Sequence, residues 1–296
     1  MADRPPRRAM AWLGVYLRGT VMGVAELVPG VSGGTIAFVT GIYDELVNTL
    51  AGLKPAALLE LRRGLAGVAA IWRAHNLTFL LVLGLGMVTS VVLLAQVLAL
   101  ALSTIRPVVF SFFLGLIALS VWMLGRRLER RTLLVAAPVG ALLGVLLTLV
   151  EPFAGQHSLP VFFLAGAVAV SAWLLPAISG SFVLLTLGLY EPVIRALAAP
   201  GWDVLGVFLA GCVTGLLLFS KVLAFALDRV RAPLLSLLTG FMVGASLALW
   251  PWQWEGTLLA PAAYAVASGG AAYVALSALA ATAGATVIWL LAKLET

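Results

Sequence analysis

A chain of 296 residues that is 62% apolar and only 10% charged does not have the make-up of a soluble domain; it reads as a polytopic membrane protein whose core is the bilayer-embedded bundle. Its single cysteine, Cys212, excludes a disulfide framework and a thiolate metal site, and the two histidines, His75 and His157, lie in different connecting segments, so neither a metal nor a cofactor is expected. The formal charge of +6 does not point to nucleic acid, because Lys and Arg gather in loops between apolar segments.

Arg4, Arg7 and Arg8 look like the basic start of a signal peptide, yet the apolar run after them is interrupted by Arg18 and lacks a cleavage site, so it is read as retained. Ten apolar segments are expected in all. Residues 9–28 and 34–50 flank the stretch Pro29, Gly30, Val31, Ser32, Gly33, Gly34, Thr35, and segments 77–102, 107–125 and 133–150 follow. Residues 160–176 and 181–198 flank Pro176, Ala177, Ile178, Ser179, Gly180, Ser181, and segments 202–227, 232–250 and 262–292 follow. The linker 51–76, with Lys54, Pro55, Glu60, Arg62, Arg63 and Arg73, reads either as a short amphipathic helix on the membrane surface or as a solvated loop.

The second five segments repeat the first. Pro29, Gly41 and Tyr43 return 147 residues later as Pro176, Gly188 and Tyr190, and Gly86, Val88, Arg106, Ser111 and Gly115 return at an offset of 125 as Gly211, Val213, Arg231, Ser236 and Gly240. If each Pro/Gly/Ser stretch joins two arms that enter and leave by one face, every half has three full spans and the second half is inverted. With the N-terminus in the cytoplasm, fourteen of the eighteen Lys and Arg fall on the cytoplasmic side, which supports that map. Outer loops 151–160 and 251–261 carry Glu151, His157 and Glu255 without Lys or Arg, and Trp250, Trp252 and Trp254 read as an outer aromatic anchor. The fold expected is an all-α polytopic membrane protein of two inverted-topology repeats, each a broken or re-entrant helical hairpin plus three transmembrane helices. It forms one membrane domain, 1–296, with repeat 1 over 9–150, including the cytoplasmic linker, and repeat 2 over 160–292. Parity does not separate a hairpin that dips from one that spans; Arg18 and Glu26 in the first arm favour dipping.

Pro and Gly inside apolar sequence leave backbone N–H groups that lipid cannot satisfy. After Pro29 and Gly30 a restarted helix would aim the N–H groups of Ser32, Gly33, Gly34 and Thr35, with two hydroxyls, at an anion. Ser179, Gly180 and Ser181, after Pro176, would offer the same from the other half. The structural alternative is close helix packing through small residues, as Gly19 and Gly23 suggest. Glu26 is the one carboxylate deep in an apolar segment, and its counterpart at offset 147 is Trp173. An acid in one half only points to proton or ion coupling, against a purely structural carboxyl bonded to the broken backbone. Arg18 either neutralises a substrate anion or snorkels to the surface, and the same two readings hold for Lys221, whose repeat partner is Gln96.

Residues 18–47, 174–194 and 237–252 resemble the signature blocks of a bacterial membrane family long catalogued as a domain of unknown function and associated with polyprenyl-phosphate transport, the PopT-type flippases. The resemblance runs over nearly the whole chain. It implies inward recycling of undecaprenyl phosphate, the lipid carrier of cell-wall precursors, across the bacterial inner membrane; the charge map above puts both termini in the cytoplasm. It implies as partners a polyprenyl-phosphate lipid and the surrounding membrane lipids, with no nucleic acid; the oligomeric state is not legible. Carried over by position, its first motif covers Glu26, Pro29, Gly30, Ser32, Gly33, Gly34 and Thr35, and its second Pro176, Ser179, Gly180 and Ser181, with Ala177 where Gly is expected. Two other readings use the same features: a membrane polyprenyl-diphosphate phosphatase, for which Gly33 and Gly180 stand where Arg would be wanted, and an anion channel.

Overall fold

The computed structural model describes residues 9–26, 32–149, 158–176, 178–198 and 201–293. Pro29, Gly30, Ala177, Glu151, His157 and the N-terminal arginines lie outside the described residues. The first half runs α1 (Ala9–Glu26), α2 (Gly33–Val39), α3 (Tyr43–Ala51), a 3-10 helix (Pro55–Arg63), α4 (Leu65–Ala74), α5 (Leu77–Thr104), α6 (Arg106–Gly125) and α7 (Arg130–Thr148). The second runs α8 (Leu159–Leu174), α9 (Gly180–Thr186), α10 (Tyr190–Ala198), α11 (Trp202–Arg229), α12 (Arg231–Ala245), a 3-10 turn (Ser246–Leu249), a small hairpin of β1 (Gln253–Trp254) and β2 (Thr257–Leu258), α13 (Pro261–Ser268) and α14 (Val274–Lys293). Among the described residues six helices are long and apolar enough to cross a membrane: α5, α6 and α7, then α11, α12 and α14. The molecule is an all-α polytopic membrane protein apart from that one hairpin.

The bounds of α2 and α3 become those of α9 and α10 on adding 147, and the bounds of α5 become those of α11 on adding 125. Even the one-residue breaks coincide, Ile105 at φ −133°, ψ 41° and Val230 at φ −132°, ψ 42°. Helices pair in matching ways: α1 packs on α5 as α8 packs on α11, and α6 packs on α14 as α12 packs on α7. Glycine makes each crossing possible. A Cβ on Gly19 would overlap the Leu83 carbonyl, and one on Gly166 would overlap that of Phe208; Gly115 meets Ala281 and Gly240 meets Ala137 in the same manner. Without a hydrophobic driving force between helices in lipid, such close backbone approach is what holds a bundle together.

The core holds Met22, Ile36, Phe79, Phe113, Leu116, Leu174 and Met242, none more than 2% exposed, while Val88, Val92, Val97 and Leu100 turn the outer face of α5 outward, as a lipid-facing helix should. Three of the expected apolar segments are interrupted. Segment 34–50 divides at Gly41 (φ 73°), 181–198 at Gly188 (φ 67°), and 262–292 at Gly269 (φ 65°); each glycine takes the left-handed conformation that stops a helix even where the apolar pattern continues. The linker is neither one helix nor an open loop. Its 3-10 helix packs on α4, where Gly67 admits the Glu60 carbonyl, and Leu59, Leu65 and Trp72 stay exposed beside Arg62, Arg63 and Arg73. Trp250 and Trp252 stack edge to face, and their indole N–H groups donate to Leu259 O and Ala272 O, so they brace the loop that holds the hairpin.

Candidate functional site

Glu26 closes α1, and its carboxylate reaches two donors from different halves of the chain. Gly33 N donates to Oε1 at 2.5 Å, and Trp173 Nε1 donates to the same oxygen at 2.7 Å. Ser32 caps α2: its hydroxyl oxygen accepts from Gly34 N at 3.1 Å, its carbonyl accepts from Thr35 N at 3.0 Å, and its hydroxyl donates to Trp173 O at 3.4 Å. Ser32 and Thr35 are fully buried. Further along, the Tyr43 hydroxyl donates to Leu174 O at 2.8 Å. Residues 173–175, just before Pro176, are thus the surface against which the first hairpin is seated.

Gly34 is required by this packing, and at Gly33 a Cβ would displace the Glu26 carboxylate. A Cβ on Gly34 would sit 2.6 Å from Trp173 O and 3.2 Å from Leu175 O, and one on Gly33 would sit 2.8 Å from Glu26 Oε1. The space beside them is filled by the protein itself, and the first-turn N–H groups of α2 are engaged by Glu26 and Ser32. The second motif differs. Ser179 is buried and its hydroxyl lies 2.7 Å from that of Ser181, which is exposed; a Cβ on Gly180 would meet Ala169 O at 2.8 Å, where one on the equivalent Gly33 would meet the Glu26 carboxylate. Pro176 is buried.

Arg18 and Lys221 stand apart from this cluster. Arg18 is 5% exposed and neither snorkels nor faces Ser32: its Nε donates to Thr40 O at 3.2 Å and its Nη2 to Leu291 O at 3.3 Å, tying the C-terminal ends of α2 and α14. Helix C-termini present unpaired carbonyls and a negative dipole end, for which a buried guanidinium is a fitting partner. Lys221 is exposed on α11, as is Gln96 on α5, while neighbouring Ser220 and Leu223 face the core. Among the described residues no group of three or more His, Cys, Asp or Glu is placed to hold a metal ion. Sequence reasoning did not find Tyr43 as a link between the halves, nor the ion pair of Arg231 with Asp44. The recurrence of Tyr43 at Tyr190 was the available signal.

The fold and the cluster define a helical membrane protein with a single carboxylate seated at the junction of its two halves. The chain belongs to the undecaprenyl phosphate translocase-like family, VCA0040-like, whose model matches residues 22–263. It is 42% identical over 248 residues to the polyprenyl-phosphate transporter of Vibrio cholerae serotype O1 (strain ATCC 39315 / El Tor Inaba N16961), an alignment covering 83% of this chain and 80% of that protein. It is 31% identical over 262 residues to the polyprenyl-phosphate transporter of Staphylococcus aureus (strain NCTC 8325 / PS 47), covering 81% and 86% respectively. No solved structure matches the chain.

Proposed function

We propose that this protein is a polyprenyl-phosphate transporter of the bacterial inner membrane, a flippase that returns the undecaprenyl carrier inward and exchanges a proton through Glu26. Family membership and two similar transporters support the substrate class. Two inverted-topology repeats, 9–150 and 160–292, each a re-entrant hairpin with three spans, would account for the paired offsets and the paired helix crossings. In this reading both termini and the linker are cytoplasmic.

The observation that carries the mechanism is the Glu26 carboxylate between Gly33 N and Trp173 Nε1. A carboxylate and a lipid phosphate are rival anions for those donors. When Glu26 takes a proton, its hold on them weakens, and the N–H groups of Gly33 and Trp173, with the Ser32 hydroxyl, become available to phosphate oxygens. Ser179, Gly180 and Ser181 would receive the phosphate from the other half. The phosphate then crosses with a proton on Glu26, so less net charge moves through the low-dielectric centre. Proteoliposomes test the substrate: uptake of a short-chain polyprenyl phosphate, without uptake of the corresponding alcohol and without release of inorganic phosphate from the diphosphate, is the expected result. Phosphate release would instead identify a hydrolase.

A further inference from the structure

The two hairpins are equivalent in sequence position but not in setting. Tyr43 is 3% exposed and Val47 fully buried, whereas their counterparts at offset 147, Tyr190 and Ile194, are 41% and 46% exposed. The first hairpin packs across the molecule: α3 lies on α11. The second stays on its own half, with α10 on α11 and a separate small core of Phe162, Leu184, Leu189 and Val193. One pair of charges follows the same division. Asp44, in the first turn of α3, forms an ion pair with Arg231, the first residue of α12. The counterpart of Asp44 at offset 147 is Glu191, and the counterpart of Arg231 at offset 125 is Arg106. These two do not pair: Glu191 accepts from Arg195 at 2.6 Å on its own helix, and Arg106 lies 4.8 Å from the centre of the Phe110 ring.

We infer that Asp44–Arg231 and Glu191–Arg106 are alternating gates of the transport cycle, one formed while the other is open. This inference rests on the inverted-repeat transport reading. In a chain of two equivalent halves, the state in which the halves exchange settings has almost the same contacts, so α10 would seat against α5 as α3 now seats against α11. Arg106 and Glu191 then meet, and Asp44 releases Arg231. The closed pair also has something to close. Asp44 and Arg231 line a recess of about 500 Å³ with Arg127, Glu129, Phe38 and Tyr43, and the Tyr43 hydroxyl bonds Leu174 O, next to Trp173, whose indole bonds Glu26. An anion in that recess competes with Asp44 for Arg231. The Asp44–Arg231 pair is exposed, as is the Glu191–Arg195 pair that holds Glu191 on its own helix, and exposed pairs are weak, which suits contacts that must break in every cycle.

The test needs no substrate. In a Cys212→Ser background, cysteines replacing Arg106 and Glu191 are treated with a short thiol crosslinker in proteoliposomes, with and without Asp44→Asn. Removal of the Asp44 charge is expected to raise the 106–191 crosslink roughly two- to fivefold, the range an exposed ion pair commands. Equal crosslinking with and without Asp44→Asn, or no crosslink in either, would overturn the gates. Because Asp44 is half exposed, its amide leaves the core intact, and a monodisperse elution profile checks this. Failure of polyprenyl-phosphate uptake would remove the substrate reading and leave this result standing.

Discussion

Glu26 and Trp173 occupy the same position in the two halves, 147 residues apart, and they touch: the indole N–H of one donates to the carboxylate of the other at 2.7 Å. The contact joins the two halves of the chain through one difference between them, an acid in the first and an indole in the second. Trp173→Phe keeps an aromatic ring, though a smaller one, and removes the donor. It is expected to slow transport while lowering stability by about 1–3 kcal/mol, and a double-mutant cycle with Glu26→Ala, which removes the acceptor, should show coupling above about 0.5 kcal/mol. Additive effects in thermal or denaturant unfolding would mean that the pair does not act as one.

Gly34→Ala places a Cβ 2.6 Å from Trp173 O, so the hairpin must withdraw from residues 173–175. The expected loss is about 1–3 kcal/mol, together with loss of transport. Gly84→Ala is the control, because its Cβ would enter open space, and it should leave both unchanged. Thermal unfolding in detergent compares the two.

Much of this was legible in the sequence, and what was not has physical causes. Ten apolar segments are legible and parity reduces them to three spans per half, in line with the six long helices, and the glycines of the first motif mark close approach. What they approach is not visible, because two positions at equal offset carry no sign that they lie side by side. Gly41 and Gly188 stand in the sequence as spacing marks, but the apolar pattern runs on through both, and only their positive φ reveals the break. Arg18 admitted two readings, substrate anion or surface. The third, a clamp on two helix C-termini, depends on Leu291, which lies 273 residues away and cannot be placed from local pattern.

That clamp makes a separate prediction. Arg18→Met removes charged hydrogen bonds to Thr40 O and Leu291 O and should destabilise the protein by about 3–6 kcal/mol, since each bond to a charged group contributes roughly 1.5–3 kcal/mol. A residue that served only the substrate would instead raise the KM of transport and leave the unfolding midpoint in place.

Topology is open to direct labelling. Cysteines introduced into the linker 51–76 and the loop 126–131 should react with an impermeant thiol reagent only from the cytoplasmic side. A cysteine at Glu255, in the turn between β1 and β2, should react only from outside. Labelling of the linker and residue 255 from one face would contradict the inverted arrangement.

The most direct measurement is uptake of a short-chain polyprenyl phosphate into proteoliposomes, with and without an imposed pH gradient, for the wild type and Glu26→Gln. The amide keeps the shape and hydrogen-bonding capacity of Glu26 and removes its ionisable proton. Proton exchange through Glu26 predicts that the gradient accelerates the wild type, and that Glu26→Gln is slow and indifferent to the gradient. Equal rates for the two proteins, with the response to the gradient retained in Glu26→Gln, would contradict it and leave Glu26 as a structural tie between Gly33 and Trp173.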